Sequence, residues 1–541
     1  MTQEFSLTTP PRIEHGLGAS LRQAAAEAPQ HAFIRMLHGE WTYGAFDHLS
    51  DRVARGLQQA GVRQADNVSL LLPNCIEFAA TWFGLAKLGA VAAPVSTSFR
   101  GVVLAQAIDL VQSHVAIVHE DWLAALAEVA SELSIRTLIV VPRHPGTALN
   151  DTPPALEGMV LHGWDDLLAL GDAAADMAWP EVKATDLCLL LYTSGSTGRS
   201  KAAMLSHRYV HTHAQLTAEG LGLRADDVLY CPYPMFHIDS AIMTVAAALH
   251  LRGVAAIGEK FSVSRYWDEM RALRATVFDF MGATLTMLWK QAPSDRDRDH
   301  FARLGWGVPL PAWAPEFEQR FGCKLVELYG LTEAGVMLFT PLDRPSPVGA
   351  CGQPRGPFEL ALVDEAGWPV ADGEPGELLI RPQAPSVMMS GYYGMPEASL
   401  NAFKDLWFHT GDVLRRDAQG FYFFVGRRKD VLRRRGENIS AAEVEMLIDQ
   451  HPEVLESAVY GVPSELSEDE VMACVALRPH SSLSAAALAA FCEQHMARFM
   501  VPRYIRFMAE LPKTPTDKVE KFKLRDQGVT ADTWDRESHP S

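Results

Sequence analysis

LLYTSGSTGRSKAAMLSH, residues 190–207, sets leucines and a tyrosine ahead of a cluster of hydroxyls and glycines that closes on Lys201. A strand feeding such a loop suits phosphate. Glycines let backbone N–H groups approach an anion, Ser and Thr add donors, and lysine supplies a point charge. The plainer reading is a solvated turn, since Ser, Thr and Gly populate turns in any case. A Walker A loop needs glycine before the lysine and Ser or Thr after it. Here Ser200 and Ala202 stand in those places, so that reading fails.

Outward from the loop, NVSLLLPNCIEFAATWFGLAKLGAVAAPV (67–95) reads as strand, amphipathic helix and second strand after Gly89, a βαβ unit that makes mostly parallel sheet. Short apolar runs recur at Thr137, Leu187 and Val254, with helical stretches between them. Near 420–440 the texture changes: GFYFFVGRRKDVLRRRGENIS carries five arginines and a lysine, then a capping box Ser440–Glu443 opening a helix with Val444, Leu447 and Ile448. Strand-like runs follow at Ser457, Val471 and Tyr504, with a helix over 485–499. The fold class expected is α/β, a large layered N-terminal domain (1–425) with mostly parallel sheets, a junction at 426–431, and a small α+β domain (432–541).

The 541 residues exceed one ordinary core, and 48% apolar with 21% charged residues is a globular composition. A net charge of −18 argues against a nucleic-acid partner. The 7 cysteines form no C-x-x-C pair, so neither a structural zinc site nor a disulfide framework is indicated, which fits a cytoplasmic location. The first residues lack a signal-peptide pattern. The apolar stretch from Ser240 is interrupted by His250 and Arg252, so no membrane span is expected, but a buried helix running into a strand.

Tyr192-Thr193-Ser194-Gly195-Ser196-Thr197-Gly198 with Lys201 resembles the phosphate-binding signature of the adenylate-forming superfamily, which includes acyl-CoA synthetases, nonribosomal peptide adenylation domains and beetle luciferases. YGLTEA (329–334), HTGD (409–412), GRRKD (426–430), GEN (436–438) and PKTPTDKVEK around Lys518 follow in the family's order, covering nearly the whole chain. The resemblance implies that Thr193 to Gly198 and Lys201 cradle the β- and γ-phosphates of ATP and that Tyr329 stacks on adenine. It implies that Thr332 binds the α-phosphate, and that Glu333 with Thr193 holds Mg²⁺. It implies ribose contacts from Asp412 and Arg427, a hinge at Asp430 that makes the small domain mobile, and Lys518 as the adenylation cation. A carboxylic acid would become acyl-AMP with release of pyrophosphate. The small domain would then turn and open a pantetheine tunnel, near Gly436, for coenzyme A. Taken singly, Glu333, Asp412 and Lys518 read as an exposed helix-start carboxylate, a turn residue and a solvated cation; the order of motifs carries their roles.

Departures from the family pattern lie at Ser200 and Ala202, which replace proline and glycine around the lysine; at Arg435, in place of a glycine by the tunnel mouth; and at Asp517, in place of glycine before Lys518. Trp306 stands where a small residue is common. YCPYPMFHIDS (230–240) occupies the family's acyl-binding place, where His237 gates the pocket or is a satisfied core residue. FHID, EKFSVSRYWDEMRALRATV and FCEQHMARFMVPRY look most like the crotonobetaine/carnitine–CoA ligase branch. Asp239 among aromatics balances a quaternary ammonium or else caps a helix. Short or medium-chain fatty acids and aromatic acids are the alternatives for the acid. Loading of a carrier-protein thiol and a nucleotide-binding relative without catalysis are alternatives for the function. The oligomeric state is left open, with a homodimer as one candidate.

Overall fold

The computed structural model describes residues 13–144, 156, 158–174, 177–193, 200–428, 431–434, 437–463, 469–496, 498, 500–514 and 518–538. The chain forms two compact units, Met1–Glu359 with Arg381–Leu406, and Leu360–Ile380 with Trp407–Ser541.

The first unit is layered α/β. One sheet has 7 strands in the order Val160–Gly163, Thr137–Val141, Val115–His119, Asn67–Leu71, Val91–Pro94, Leu187–Thr193 and Lys201–Ser206. All its neighbours run parallel except the last pair. A second run of parallel strands goes from Lys324–Leu331 through Leu304–Val308, Val277–Met281, Val228–Cys231 and Val254–Ile257 to Ala32–Met36. The βαβ unit at 67–95 is present: helix Ile76–Leu88 lies between parallel strands and ends at Gly89 in the left-handed region (φ 68°). Phe78, Trp82, Phe83 and Leu85 are all buried, because layers cover this helix on more than one side. Its single cation, Lys87, has a fully buried side chain held 2.6 Å from both Asp47 and Asp51.

The stretch from Ser240 is helix running into strand, with a difference in winding. Asp239–Ala246 coils in wide i→i+5 turns before continuing as the α-helix Ala247–Leu251 and the strand Val254–Ile257. Such widened turns concentrate at functional sites. Among the described residues no helix is long and apolar enough to cross a membrane.

The second unit is the smaller. It holds antiparallel strands Pro375–Pro382, Trp407–Arg416 and Tyr422–Arg427, a Val431–Arg434/Glu437–Ser440 hairpin, and a 4-stranded sheet built from Val454–Pro463, Asp469–Leu477, Tyr504–Met508 and Trp534–Asp535. Helix Ala441–Ile448 buries Val444 and Ile448. The helix expected over 485–499 stops at His495, because Met496 takes an extended conformation (φ −141°, ψ 163°) on the way to the strand at Tyr504.

Asp227 ties the second parallel run together. It accepts from Thr276 Oγ1 (2.7 Å), Arg224 N (2.8 Å) and Arg303 Nε (2.9 Å). Burial opposes its ionisation, but Arg303, Thr276 and the Arg224 N–H outweigh burial and hold the carboxyl below its usual range. The stabilisation is therefore present at neutral pH and lost as acid protonates the carboxylate. Asp227→Ala is expected to cost about 2–3 kcal/mol by urea unfolding at pH 7, and less in acid, Arg303 being partly hydrated.

Candidate functional site

The opening motif is flanked by two paired strands. Leu187–Thr193 is a strand because Cys188 to Leu191 form a buried apolar run. It pairs antiparallel with Lys201–Ser206, placing Thr193 opposite Lys201. Ser194, Gly195, Ser196, Thr197 and Gly198 lie outside the described residues. A helix begins only after the second strand, at His207, capped by Ser206 Oγ accepting from Tyr209 N (3.1 Å). This loop thus leads into a strand, whereas a Walker A loop opens a helix.

Tyr329, 6% exposed, sits near the end of the strand Lys324–Leu331 at a register shift before Gly330. The turn that follows is pinned on three sides. Thr332 O accepts from Tyr209 Oη (2.7 Å), Glu333 O from Met389 N (2.8 Å), and Val336 N donates to His213 Nδ1 (3.2 Å). His213 Nε2 donates in turn to Val387 O (3.0 Å), so the ring is the neutral tautomer. Burial pushes its pKa down to about 4. Gly335 has φ 72°, and a Cβ there would meet His213 Cε1 at 2.0 Å; glycine is required on both counts.

Residues 389–393 join the two halves. Ser390 N donates to Met204 O (2.9 Å), Met204 N to Gly391 O (2.9 Å) and Tyr393 N to Ala202 O (2.8 Å). That pairing sets the Tyr392 ring 4.7 Å from Lys201 Nζ and its hydroxyl 2.9 Å from Glu333 Oε1. Lys201 and Glu333, 132 residues apart, thereby share one neighbour. Sequence reasoning missed Tyr392: SGYYG carries no charge or recurrent chemical spacing, and only long-range pairing reveals its place.

The acyl-side residues follow the strand Val228–Cys231. His237 is partly exposed, and its ring lies against Phe236 (centroids 4.7 Å apart). Nε2 is buried with no hydrogen-bond partner among the described residues, and burial lowers the pKa to about 4. Asp239 opens the wide-turn helix; burial pushes its carboxyl up to about 6. Asp279, also missed, is 1% exposed in the strand Val277–Met281. Strand alternation aims it away from Phe278 and Phe280, which lie in the core with Tyr266 and Phe317. Asp279 Oδ2 accepts from Cys231 Sγ (3.3 Å), while Oδ1 has no partner among the described residues. Burial, then the charge of Asp239, raises its pKa well above the carboxylate range. Trp306, 3% exposed, is its register partner on the next strand. The signal for Asp279 was a lone acid inside the apolar run TVFDFM.

In the second unit Asp412 and Arg427 are opposite one another on neighbouring strands, with Arg427 Nε 3.3 Å from Asp412 Oδ1. Glu377, a further omission, organises the HTGD turn by accepting from Gly411 N (3.1 Å) and Arg428 Nη1 (3.1 Å). Lys518 is exposed and bonded to Thr514, its N donating to Thr514 Oγ1 (3.1 Å) and its O accepting from Thr514 N (2.7 Å). Asp430, Arg435, Gly436 and Asp517 lie outside the described residues.

Because Gly335 has no space for a Cβ, Gly335→Ala should lower stability by about 2 kcal/mol or more, read as a fall in Tm; an unchanged Tm would contradict the wedge formed by His213.

Comparison with known proteins gives the site a context. Residues 21–393 match the family model for AMP-binding enzymes, and 443–518 the model for the C-terminal domain of AMP-binding enzymes. A crotonobetaine/carnitine–CoA ligase of Salmonella choleraesuis (strain SC-B67) is 29% identical over 90% of this chain and 93% of its own. The anthranilate CoA ligase AuaEII in complex with anthranoyl-AMP superposes with a TM-score of 0.85 at 25% identity, covering 95% of this chain and 97% of that one. ATP-bound MatB from Rhodopseudomonas palustris gives 0.81 at 25% identity, covering 94% and 98%. With the hairpin, the pinned turn and both matched domains in hand, the chain belongs to the AMP-binding enzymes, as an AMP-forming enzyme of the acyl-CoA synthetase type.

Proposed function

We propose that the protein activates a carboxylic acid that bears a cationic tail, of the carnitine or crotonobetaine kind, as its acyl-AMP and passes the acyl group to coenzyme A. The observation that carries the adenylation reading is the meeting of Lys201 and Glu333 on Tyr392: a phosphate-directed cation and a metal-directed carboxylate stand at one place.

Bringing a carboxylate onto a triphosphate sets anion against anion, so charge must be neutralised and both groups held in line. Lys201 and the loop from Thr193 to Gly198 take the β- and γ-phosphates. Thr332 faces the α-phosphate and Tyr329 the adenine. Asp412, an acceptor, and Arg427 take the ribose hydroxyls. The carboxylate of Glu333 and the hydroxyl of Thr193 are hard oxygen donors that fit Mg²⁺ shared with phosphate oxygens. When bound, that ion withdraws charge from the phosphates. The acid's oxygen attacks the α-phosphorus, the bond to the β-phosphate oxygen breaks, and Lys518 stabilises the charge that develops. With 1–425 as the large domain, 432–541 turning about 426–431 removes Lys518 and admits pantetheine past Gly436. The thiol then adds to the acyl carbon, loses its proton and expels AMP. A cytoplasmic setting supplies all three substrates.

Asp239 and Asp279 support the cationic tail. Asp279, raised by desolvation and by the charge of Asp239, and Asp239, raised by desolvation, gain most from a cation brought between them, and Trp306 offers a π face. His237, neutral and two residues before Asp239, positions the acyl chain. The likeness to crotonobetaine/carnitine–CoA ligase points the same way.

A panel of carnitine, crotonobetaine, hexanoate and benzoate, assayed for pyrophosphate and thioester with and without CoA, is expected to favour the ammonium acids by at least about tenfold in kcat/KM. Equal rates for neutral-tailed acids would remove the cationic tail from the proposal. Lys518→Ala is expected to lose adenylation by about 100-fold or more while still converting supplied acyl-AMP to thioester. Equal loss of both half-reactions would refute the two-state mechanism.

A further inference from the structure

Tyr392 has no part in the steps above, yet it is the residue through which Lys201 and Glu333 meet. Its backbone is fixed twice over: an antiparallel bridge pairs it with Ala203, and its N–H donates to Ser399 Oγ (2.8 Å). The nearby Met389 N is bonded to Glu333 O (2.8 Å) and Tyr393 N to Ala202 O (2.8 Å), so the backbone that carries the ring is tied to both segments. Two separable contacts leave the side chain. The ring faces the ammonium of Lys201 at 4.7 Å, and the hydroxyl donates to Glu333 Oε1 at 2.9 Å. The side chain is buried, which together with the Glu333 charge keeps the phenol protonated and a donor.

Each contact has a consequence for charge. A phenol on Oε1 fixes the carboxylate plane and leaves Oε2 as the oxygen to offer a cation. An aromatic face is a neutral partner for lysine, so the ammonium is held in place without a counter-ion that phosphate would have to displace. We propose that Tyr392 is a positioning residue for adenylation, its hydroxyl orienting Glu333 toward a divalent cation and its ring holding Lys201 for the outer phosphates of ATP. This rests on the roles proposed above for Lys201 and Glu333.

Tyr392→Phe removes only the hydroxyl contact, and Tyr392→Leu removes both. ATP binding is measured by calorimetry in EDTA, and Mn²⁺ binding to the ATP-bound enzyme by electron paramagnetic resonance. Tyr392→Phe should keep ATP affinity in EDTA within about twofold of wild type while the Mn²⁺ needed for half-saturation rises about tenfold, the worth of a hydrogen bond to a charged group. Tyr392→Leu should show the same Mn²⁺ defect and, in addition, ATP binding in EDTA weakened about three- to tenfold. A Tyr392→Phe protein with wild-type Mn²⁺ binding would overturn the proposal, as would two variants alike in both measures, the mark of mere packing. Wild-type protein that binds ATP without any response to Mn²⁺ would instead overturn the metal role of Glu333, and the proposal with it.

Discussion

Backbone pairing between Ala202–Met204 and Ser390–Tyr393 is the constraint on which the site depends. Neither Lys201 nor Glu333 is placed by its own segment alone. The lysine begins a strand that leaves the sheet's hairpin, and the glutamate sits on a turn between two strands of the other sheet. The third segment closes the distance by adding a short antiparallel edge to one and a single N–H bond to the other. Local hydrogen bonds of this kind have modest individual worth. Their effect here is geometric, since they fix where two opposite charges stand before any nucleotide arrives, and prior fixation is what makes electrostatic stabilisation effective.

The acid pair illustrates the opposite use of burial. Asp279 is in a strand whose other face is the aromatic core, and nothing among the described residues satisfies its Oδ1. A buried carboxyl with one oxygen unsatisfied is costly, and a sequence selected for stability alone would place an apolar residue there. Cys231 is only a weak donor to it. The arrangement makes sense if the missing partner comes with the substrate, because desolvation then strengthens the attraction it would otherwise oppose.

Much of this was legible in the sequence, for identifiable reasons. The βαβ unit at 67–95 is local: apolar strand, helix and Gly89 need no distant information, although the helix read as amphipathic is buried from Phe78 to Leu88 because layers cover it on more than one side. The parallel layers follow from repeating that pattern. Thr193, Lys201, Tyr329 and Glu333 stood out because their chemistry sits in compact, ordered motifs. Tyr392 did not, because its importance comes from pairing with a strand nearly two hundred residues earlier, and no periodicity encodes that. Glu377 was hidden in the same way, as a strand residue whose carboxylate reaches a turn on another strand. Asp279 was legible in principle as a charge inside an apolar run. The end of the helix at His495 was not, since Met496 departs from helical geometry to reach the sheet, and helix propensity carries no record of that destination.

His213 gives the pinned turn a property that its neighbours lack. It accepts from one backbone N–H and donates to one backbone carbonyl, so a second ring proton would place two donors face to face at Val336. With the folded-state value near 4 and an unfolded value about 6.5, folding is opposed progressively as pH falls across that interval. The latch on the turn at Thr332–Val336 is therefore acid-labile from within, through a ring bonded only to backbone.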